Sequence, residues 1–381
     1  MEPAAPGKGK ALAELALLFT RLGATAFGGP AAHIAIMEDE CVKRRGWLTR
    51  EEFLDLVAAT NLIPGPNSTE MAIHIGYLRA GFAGLVVAGA CFILPAALTT
   101  LACAWAYMEY GTLPQAQGVL YGVKAAILAV VINALWRLGR ASLKGLWPVL
   151  LAAACVVASA WGVHELIVLF GAGALAACAR GFERGDAKAA MLPLPLLVAQ
   201  PAIAAVPFSQ SALFLFFLKT GSVLFGSGYV LLAFLRADLV ERYGWLTEQQ
   251  LLDAIAVGQI TPGPVFSTAT FIGYVLGGWQ GASLATLGIF LPAFVFVAIS
   301  GPLVPRLRKS KFMSGFLDGV VLASLALMAL VTWQLGFAAI IDWPSAAVAT
   351  ISAALLLRFN VNSTWLILGG ALIGWAVFAV R

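Results

Sequence analysis

Asn61-Leu62-Ile63-Pro64-Gly65-Pro66-Asn67-Ser68-Thr69 lies between two apolar helical runs. Two prolines around a glycine cannot continue a helix, because each proline lacks an N–H and the glycine is conformationally free. The backbone is therefore expected to break where hydropathy places membrane. Pro66 suits the first turn of a new helix, since the N–H it lacks would go unpaired there anyway. Asn67, Ser68 and Thr69 then fall in that first turn. Free backbone N–H groups, the positive end of the helix dipole and short hydroxyl side chains together make an anion site.

The stretch recurs. Gln259-Ile260-Thr261-Pro262-Gly263-Pro264 repeats it at an offset of 198, followed by Val265, Phe266, Ser267 and Thr268. The same offset pairs Arg21 with Lys219, Phe27-Gly28 with Phe225-Gly226 and Asp55 with Asp253. It also repeats Gly46-Trp47-Leu48-Thr49 letter for letter as Gly244-Trp245-Leu246-Thr247. After one deletion, Gly76-Tyr77 meets Gly273-Tyr274 and Leu94-Pro95-Ala96 meets Leu291-Pro292-Ala293. One shift over so long a stretch implies a duplicated and fused half: a first repeat over 11–180, a linker over 181–209 and a second repeat over 210–381.

Of the 381 residues, 61% are hydrophobic and 11% charged. Soluble domains carry roughly 25% charged residues, so the composition is that of an all-α, multi-pass membrane protein. The formal charge of +5 sits in short loops between apolar runs, as membrane orientation requires, and gives no reason to invoke nucleic acid. Cys41, Cys91, Cys103, Cys155 and Cys178 lack metal or redox spacing and read as small packing residues. His33, His74 and His164 are scattered without ligand spacing. No nucleotide, dinucleotide or nucleophile motif is present, so neither cofactor nor metal is expected.

Loop charge bears on orientation. The loop at 109–117 carries no Lys or Arg, and the next carries Arg137, Arg140 and Lys144. In the second half this order reverses, with Arg306, Arg308, Lys309 and Lys311 preceding a loop without basic residues. Basic short loops stay cytoplasmic, so equivalent loops lie on opposite sides and the repeats are inverted. The simplest topology makes each Pro-Gly-Pro hairpin re-entrant or lets the linker cross. Inverted repeats with helices interrupted at the midplane mark secondary transporters, and irregular backbone at that depth must line a cavity or be buried in protein. The two Pro-Gly-Pro breaks and the breaks at Gly28-Gly29 and Gly226-Ser227 are expected to converge on one site.

Charged residues in apolar runs are the remaining candidates. Arg21 and Lys219 either supply positive charge to an anion or snorkel to an interface. Lys124 reads more readily as interfacial. Glu70, present in the first half only, is either a proton carrier or a structural partner of Arg21 or Arg79. Thr49-Arg50-Glu51-Glu52 reads as a capping box, and structural roles are favoured for Asp55 and Asp253.

Phe27-Gly28-Gly29-Pro30, Arg44-x-Gly-Trp-Leu-Thr, Asn61-x-x-Pro-Gly-Pro and Gly76-Tyr77 with Gly81-x-x-Gly84 resemble the chromate ion transporter family, in its long form with two homologous halves. The resemblance implies a bacterial or archaeal inner-membrane exporter of chromate that confers chromate resistance, with sulfate as a competing tetrahedral dianion. Membrane potential or a proton gradient would drive it, and a homodimer stays open. Another oxyanion carrier is the alternative, and an intramembrane enzyme is the remotest reading. The second half departs from the first at Ser227-Gly228 and at Val265-Phe266, so the first-half turn is expected to be the better anion binder.

Overall fold

The computed structural model of the chain describes residues 7–182, 206–225, 230–300, 311–359 and 361–380. Among these, every regular element is helical. Gly226, Ser227, most of the linker and the basic loop from Arg306 to Lys309 lie outside the described residues.

The first half opens with α1 (Lys8–Thr25) and α2 (Gly29–Glu38), which runs on as a π-helical turn over Asp39–Arg44. Then come α3 (Arg50–Thr60), α4 (Asn67–Tyr110), α5 (Pro114–Ser142), α6 (Leu146–Ala160) and α7 (Glu165–Phe182). The second half repeats the series: α8 (Gln210–Val223), α9 (Leu231–Phe234) with its π-helical turn Leu235–Arg242, α10 (Glu248–Ile260), α11 (Thr268–Ser300), α12 (Lys311–Ala339), α13 (Trp343–Phe359) and α14 (Ser363–Val380).

Local chemistry sets the boundaries. Thr49 accepts from the N–H of Glu52 while the Glu52 carboxylate accepts from the N–H of Thr49, the expected capping box at the start of α3. In the second half, Thr247 and Gln250 make the same exchange. The Pro-Gly-Pro stretches interrupt the helices where expected, between α3 and α4 and between α10 and α11. At 1.5 Å per residue, 11-residue α3 is too short to cross a bilayer.

α4 is bent back on itself. Ala80 (φ −145°, ψ 22°) and Gly81 (φ 63°, ψ −148°) break it into arms of residues 67–79 and 82–110. The arms press together so closely that a Cβ on Gly76 would lie 2.2 Å from the Gly84 carbonyl oxygen. α11 turns in the same way at Gly277 (φ −142°, ψ 19°) and Gly278 (φ 60°, ψ −149°). The second arms expose Phe82, Val86, Leu94 and Leu98, and Leu287, Leu291, Val295 and Ile299, spaced by whole turns along one face. Apolar stripes of that length suit acyl chains rather than water. Asn67–Tyr110, Pro114–Ser142, Val265–Ser300 and Phe312–Ala339 are long and apolar enough to cross a bilayer. The chain is a multi-pass membrane protein.

The chain forms two compact units, each drawing on both halves. The first comprises Met1–Glu109, Ser209–Gly228 and Val257–Val304. Its core gathers Leu15, Phe19, Met37, Phe53, Met71 and Phe92. The second comprises Tyr110–Phe208, Tyr229–Ala256 and Pro305–Arg381. Here the halves exchange helices, α5 packing on α14 and α7 on α12. Small residues four apart make both contacts possible. A Cβ on Gly122 would lie 1.8 Å from the Gly370 carbonyl oxygen, and one on Gly319 would lie 2.2 Å from that of Ala172.

Candidate anion site at the Pro-Gly-Pro turns

Within the first unit, each Pro-Gly-Pro turn meets the break after the first helix of the opposite half. α1 ends at Ala26 (φ −83°, ψ 111°) and α8 at Leu224 (φ −77°, ψ 112°), both extended. An extended residue turns its carbonyl away from the helix that has just ended. The Gly65 N–H donates to the Leu224 carbonyl at 2.7 Å, and the Gly263 N–H donates to the Ala26 carbonyl at 2.9 Å. The two bonds are equivalent under the repeat. Both glycines have positive φ, 142° and 84°. A Cβ on Gly263 would lie 2.8 Å from the Gly23 carbonyl oxygen, so only glycine lets the turn approach α1.

Asn61 and Asn67 clip the first turn across its base, the Asn67 amide donating to Asn61 Oδ1 at 2.7 Å. Asn61 in turn donates to the Val57 carbonyl at 3.0 Å. Thr69 and Glu70 return their N–H groups to the Pro66 carbonyl at 2.8 and 3.0 Å. The N–H groups of Asn67 and Ser68 open α4 and have no intrahelical carbonyl to reach. Ser68, Thr69 and Glu70 are all buried. Asn67 Oδ1, Thr69 Oγ1 and both Glu70 carboxyl oxygens lack a hydrogen-bond partner among the described residues.

The second turn is differently furnished. Val265–Ser267 forms a tight 3₁₀ turn after Pro264, and Ser267 N–H donates to the Pro264 carbonyl at 2.9 Å. Thr100, from the second arm of α4, donates to Ser267 Oγ at 3.1 Å and lies 3.3 Å from Thr261 Oγ1. Thr268 Oγ1 donates to the Val265 carbonyl at 2.8 Å. The hydroxyls of this turn are engaged with protein, whereas Thr69 Oγ1 of the first has no partner among the described residues.

The charged residues expected at the site have other partners. Arg21 is half exposed and pairs with Glu40 at 2.7 Å. Glu40, on the first π-helical turn, also receives Arg44 at 3.2 Å and Arg45 at 3.3 Å. Burial raises its proton affinity, but the hydrogen bonds from Arg21 and Arg45 outweigh burial and hold its carboxyl below the usual range. Lys219 Nζ lies 5.9 Å from the centre of the Phe216 ring. Arg79 pairs with Glu14 at 2.7 Å rather than with Glu70. Gly28 and Gly29 supply the left-handed corner between α1 and α2, with φ of 102° and 77°.

Sequence reasoning missed two contributors. His33 looked incidental, yet it is buried and its Nε2 lies 3.1 Å from the Ala26 carbonyl that accepts from Gly263. Thr100 sits in an otherwise apolar run, and nothing local links it to Thr261 or Ser267. In the second unit, His164, Glu165 and Asp238 cluster closely enough to hold a cation. The Arg242 guanidinium fills that place, donating to Glu165 at 2.8 and 3.0 Å and to Asp238.

A family model described as chromate transporter matches the chain twice, over residues 13–177 and 211–375. A chromate transport protein of Cupriavidus metallidurans is 34% identical over 96% of this chain and 93% of its own length. A probable chromate transport protein of Synechococcus elongatus is 34% identical over 90% of this chain and 88% of its own. The corresponding figures for a chromate transport protein of Pseudomonas aeruginosa are 33%, 94% and 91%. No solved structure matches. The double match, in register with the two runs of helices, and full-length relatives at this identity show that the chain belongs to the chromate transporter family.

Proposed function

We propose that the chain is a secondary transporter that exports chromate across a bacterial inner membrane and so confers chromate resistance. Its repeats, 11–180 and 210–381 joined by 181–209, are inverted. The oxyanion binds at the first Pro-Gly-Pro turn, through the N–H groups of Asn67 and Ser68 and the hydroxyls of Ser68 and Thr69. One observation carries this site: polar atoms are buried and unpaired at a helix N-terminus beside a break in the membrane helices. Of these atoms Thr69 Oγ1 can donate, and together with the free N–H groups of Asn67 and Ser68 it offers donors that a tetrahedral dianion, which only accepts, would satisfy. The second turn, around Pro262, Gly263 and Pro264, serves as its structural counterpart. Arg21 and Lys219 add positive potential from either half. Sulfate, with the same acceptor geometry, is the competing substrate.

Membrane potential suffices for export. An exiting dianion gains about 4.6 kcal/mol per 100 mV with the inside negative. Labelled chromate flux in ATP-free proteoliposomes tests the reading. Flux should follow an imposed potassium-diffusion potential, and excess sulfate should slow it. Flux indifferent to potential would refute potential-driven export.

A further inference from the structure

Glu70 is the one acidic residue of α4's first turn, and its counterpart in the second half is Thr268. Its side chain is wholly buried. Its Oε1 faces back into the Pro-Gly-Pro turn, so that a Cβ on Gly65 would lie 2.2 Å away. Neither of its carboxyl oxygens has a hydrogen-bond partner among the described residues. Of the charges on neighbouring elements, Arg21 of α1 is held by Glu40, Arg79 by Glu14, Lys219 of α8 lies over the Phe216 ring, Asp55 stands on α3 twelve residues before the turn's end at Asn67, and α11, whose Ala293 borders Gly65, carries no Asp, Glu, Lys or Arg. His74, one helical turn on, is also buried, and its Nε2 has no partner among the described residues.

An ionised carboxylate in such a place would have no hydrogen bond to either oxygen and no ion-pair partner among the described residues, and burying a charge that way is expensive. It would also stand in the same helical turn as the donors that receive the oxyanion, and like charges so close oppose each other's binding. A protonated Glu70 removes both penalties, and its O–H can donate toward the anion. We propose that Glu70 is a proton site of this transporter, and that each oxyanion crosses together with one proton carried on Glu70. On one side the carboxylate takes a proton from water as the anion binds. On the other it returns the proton as the anion leaves, with His74 the next stop along the helix. The inference rests on the oxyanion-transport reading and adds the coupling ion. A dianion with one proton moves one net negative charge instead of two. At 100 mV it therefore sustains a concentration ratio of roughly 50-fold rather than roughly 2,000-fold.

The test uses the purified full chain in proteoliposomes with labelled chromate, both sides alkaline enough to keep chromate a dianion. With potential clamped at zero by valinomycin and equal potassium, a pH gradient should drive chromate in the direction that protons flow. Glu70→Gln should lose that drive, and whatever potential-driven flux remains should approach the higher limiting concentration ratio. Chromate moving against the proton flow, or wild-type indifference to the pH gradient, overturns the proposal while leaving oxyanion transport standing. Retained pH drive in Glu70→Gln also overturns it. If that variant does not fold, the direction of pH-driven flux and the limiting ratio of the wild type decide alone. Absence of any wild-type chromate flux removes the transport reading and this proposal with it.

Discussion

The two turn glycines occupy equivalent places yet face different obstacles. At Gly65 a side chain would meet Glu70 Oε1, the end of a side chain. At Gly263 it would meet the Gly23 carbonyl and the Ala96 methyl, of which the first is fixed backbone. Both positions also carry the strain of positive φ, on the order of 1–3 kcal/mol for a residue with a Cβ. Gly263→Ala is therefore expected to reduce the amount of folded protein in detergent. Gly65→Ala is expected to express better and to lose chromate transport. Thermal unfolding and flux measured on the same preparations separate the two effects, and equal loss of folding in both would refute this distinction. The hydroxyls differ in the same sense. Ser68→Ala with Thr69→Ala should weaken chromate affinity, by roughly ten- to a hundredfold for each charge-assisted bond lost. Ser267→Ala with Thr268→Ala removes bonds to Thr100 and Val265, so it should lower thermal stability and change affinity less. Competition binding with sulfate and chromate reads the order directly.

At the scale of elements, the π-helical turn after α2 is the least expected feature. It lets Glu40 collect Arg21, Arg44 and Arg45 around one carboxylate. The second half makes its own version, with Asp238 on the matching turn holding Arg242, which Glu165 of α7 shares. Because the folded-state carboxyl of Glu40 titrates lower than in the unfolded chain, it contributes stability above the ordinary carboxylate range. That contribution is lost as pH falls through the depressed value. Glu40→Gln should therefore lower the unfolding temperature at neutral pH and flatten its dependence on acid. Arg21→Gln resolves which duty Arg21 serves. Lost stability with unchanged affinity assigns it to Glu40, and lost affinity assigns it to the anion. Much of this level was legible in the sequence. Capping by Thr49 and Glu52 is a local exchange over three residues, and Pro-Gly-Pro forbids a helix whatever surrounds it. The Arg21–Glu40 pair was not legible, because a π-helical turn shifts the facing of side chains that a regular 3.6-residue period would predict. Thr100 was hidden for a related reason: its partners lie more than 160 positions away.

Across the whole chain, the two halves contact each other reciprocally within each unit. Gly65 reaches the end of α8 and Gly263 the end of α1. In the second unit, α5 takes α14 as its partner while α7 takes α12. Within each unit taken by itself, each of these contacts has its image under the repeat, as expected of homologous halves related by a pseudo-two-fold axis. Reciprocity alone fits an axis along the membrane normal as well as one in its plane. Loop charge distinguishes them, because only an axis in the plane exchanges the two sides of the membrane. The basic segment at Arg137, Arg140 and Lys144 follows α5's apolar stretch, whereas Arg306, Arg308, Lys309 and Lys311 precede the apolar stretch of its counterpart α12. If α5 and α12 run in opposite directions, both segments reach the cytoplasmic side and both obey the positive-inside rule. If they run in the same direction, one segment faces outward and violates it. Single cysteines introduced at Arg140 and Arg308 in a chain lacking its native cysteines should both resist an impermeant thiol reagent in intact cells and react after permeabilisation. Labelling of one but not the other in intact cells would place the axis along the normal. The repeats would then be parallel, and the inverted arrangement proposed for 11–180 and 210–381 would have to be abandoned.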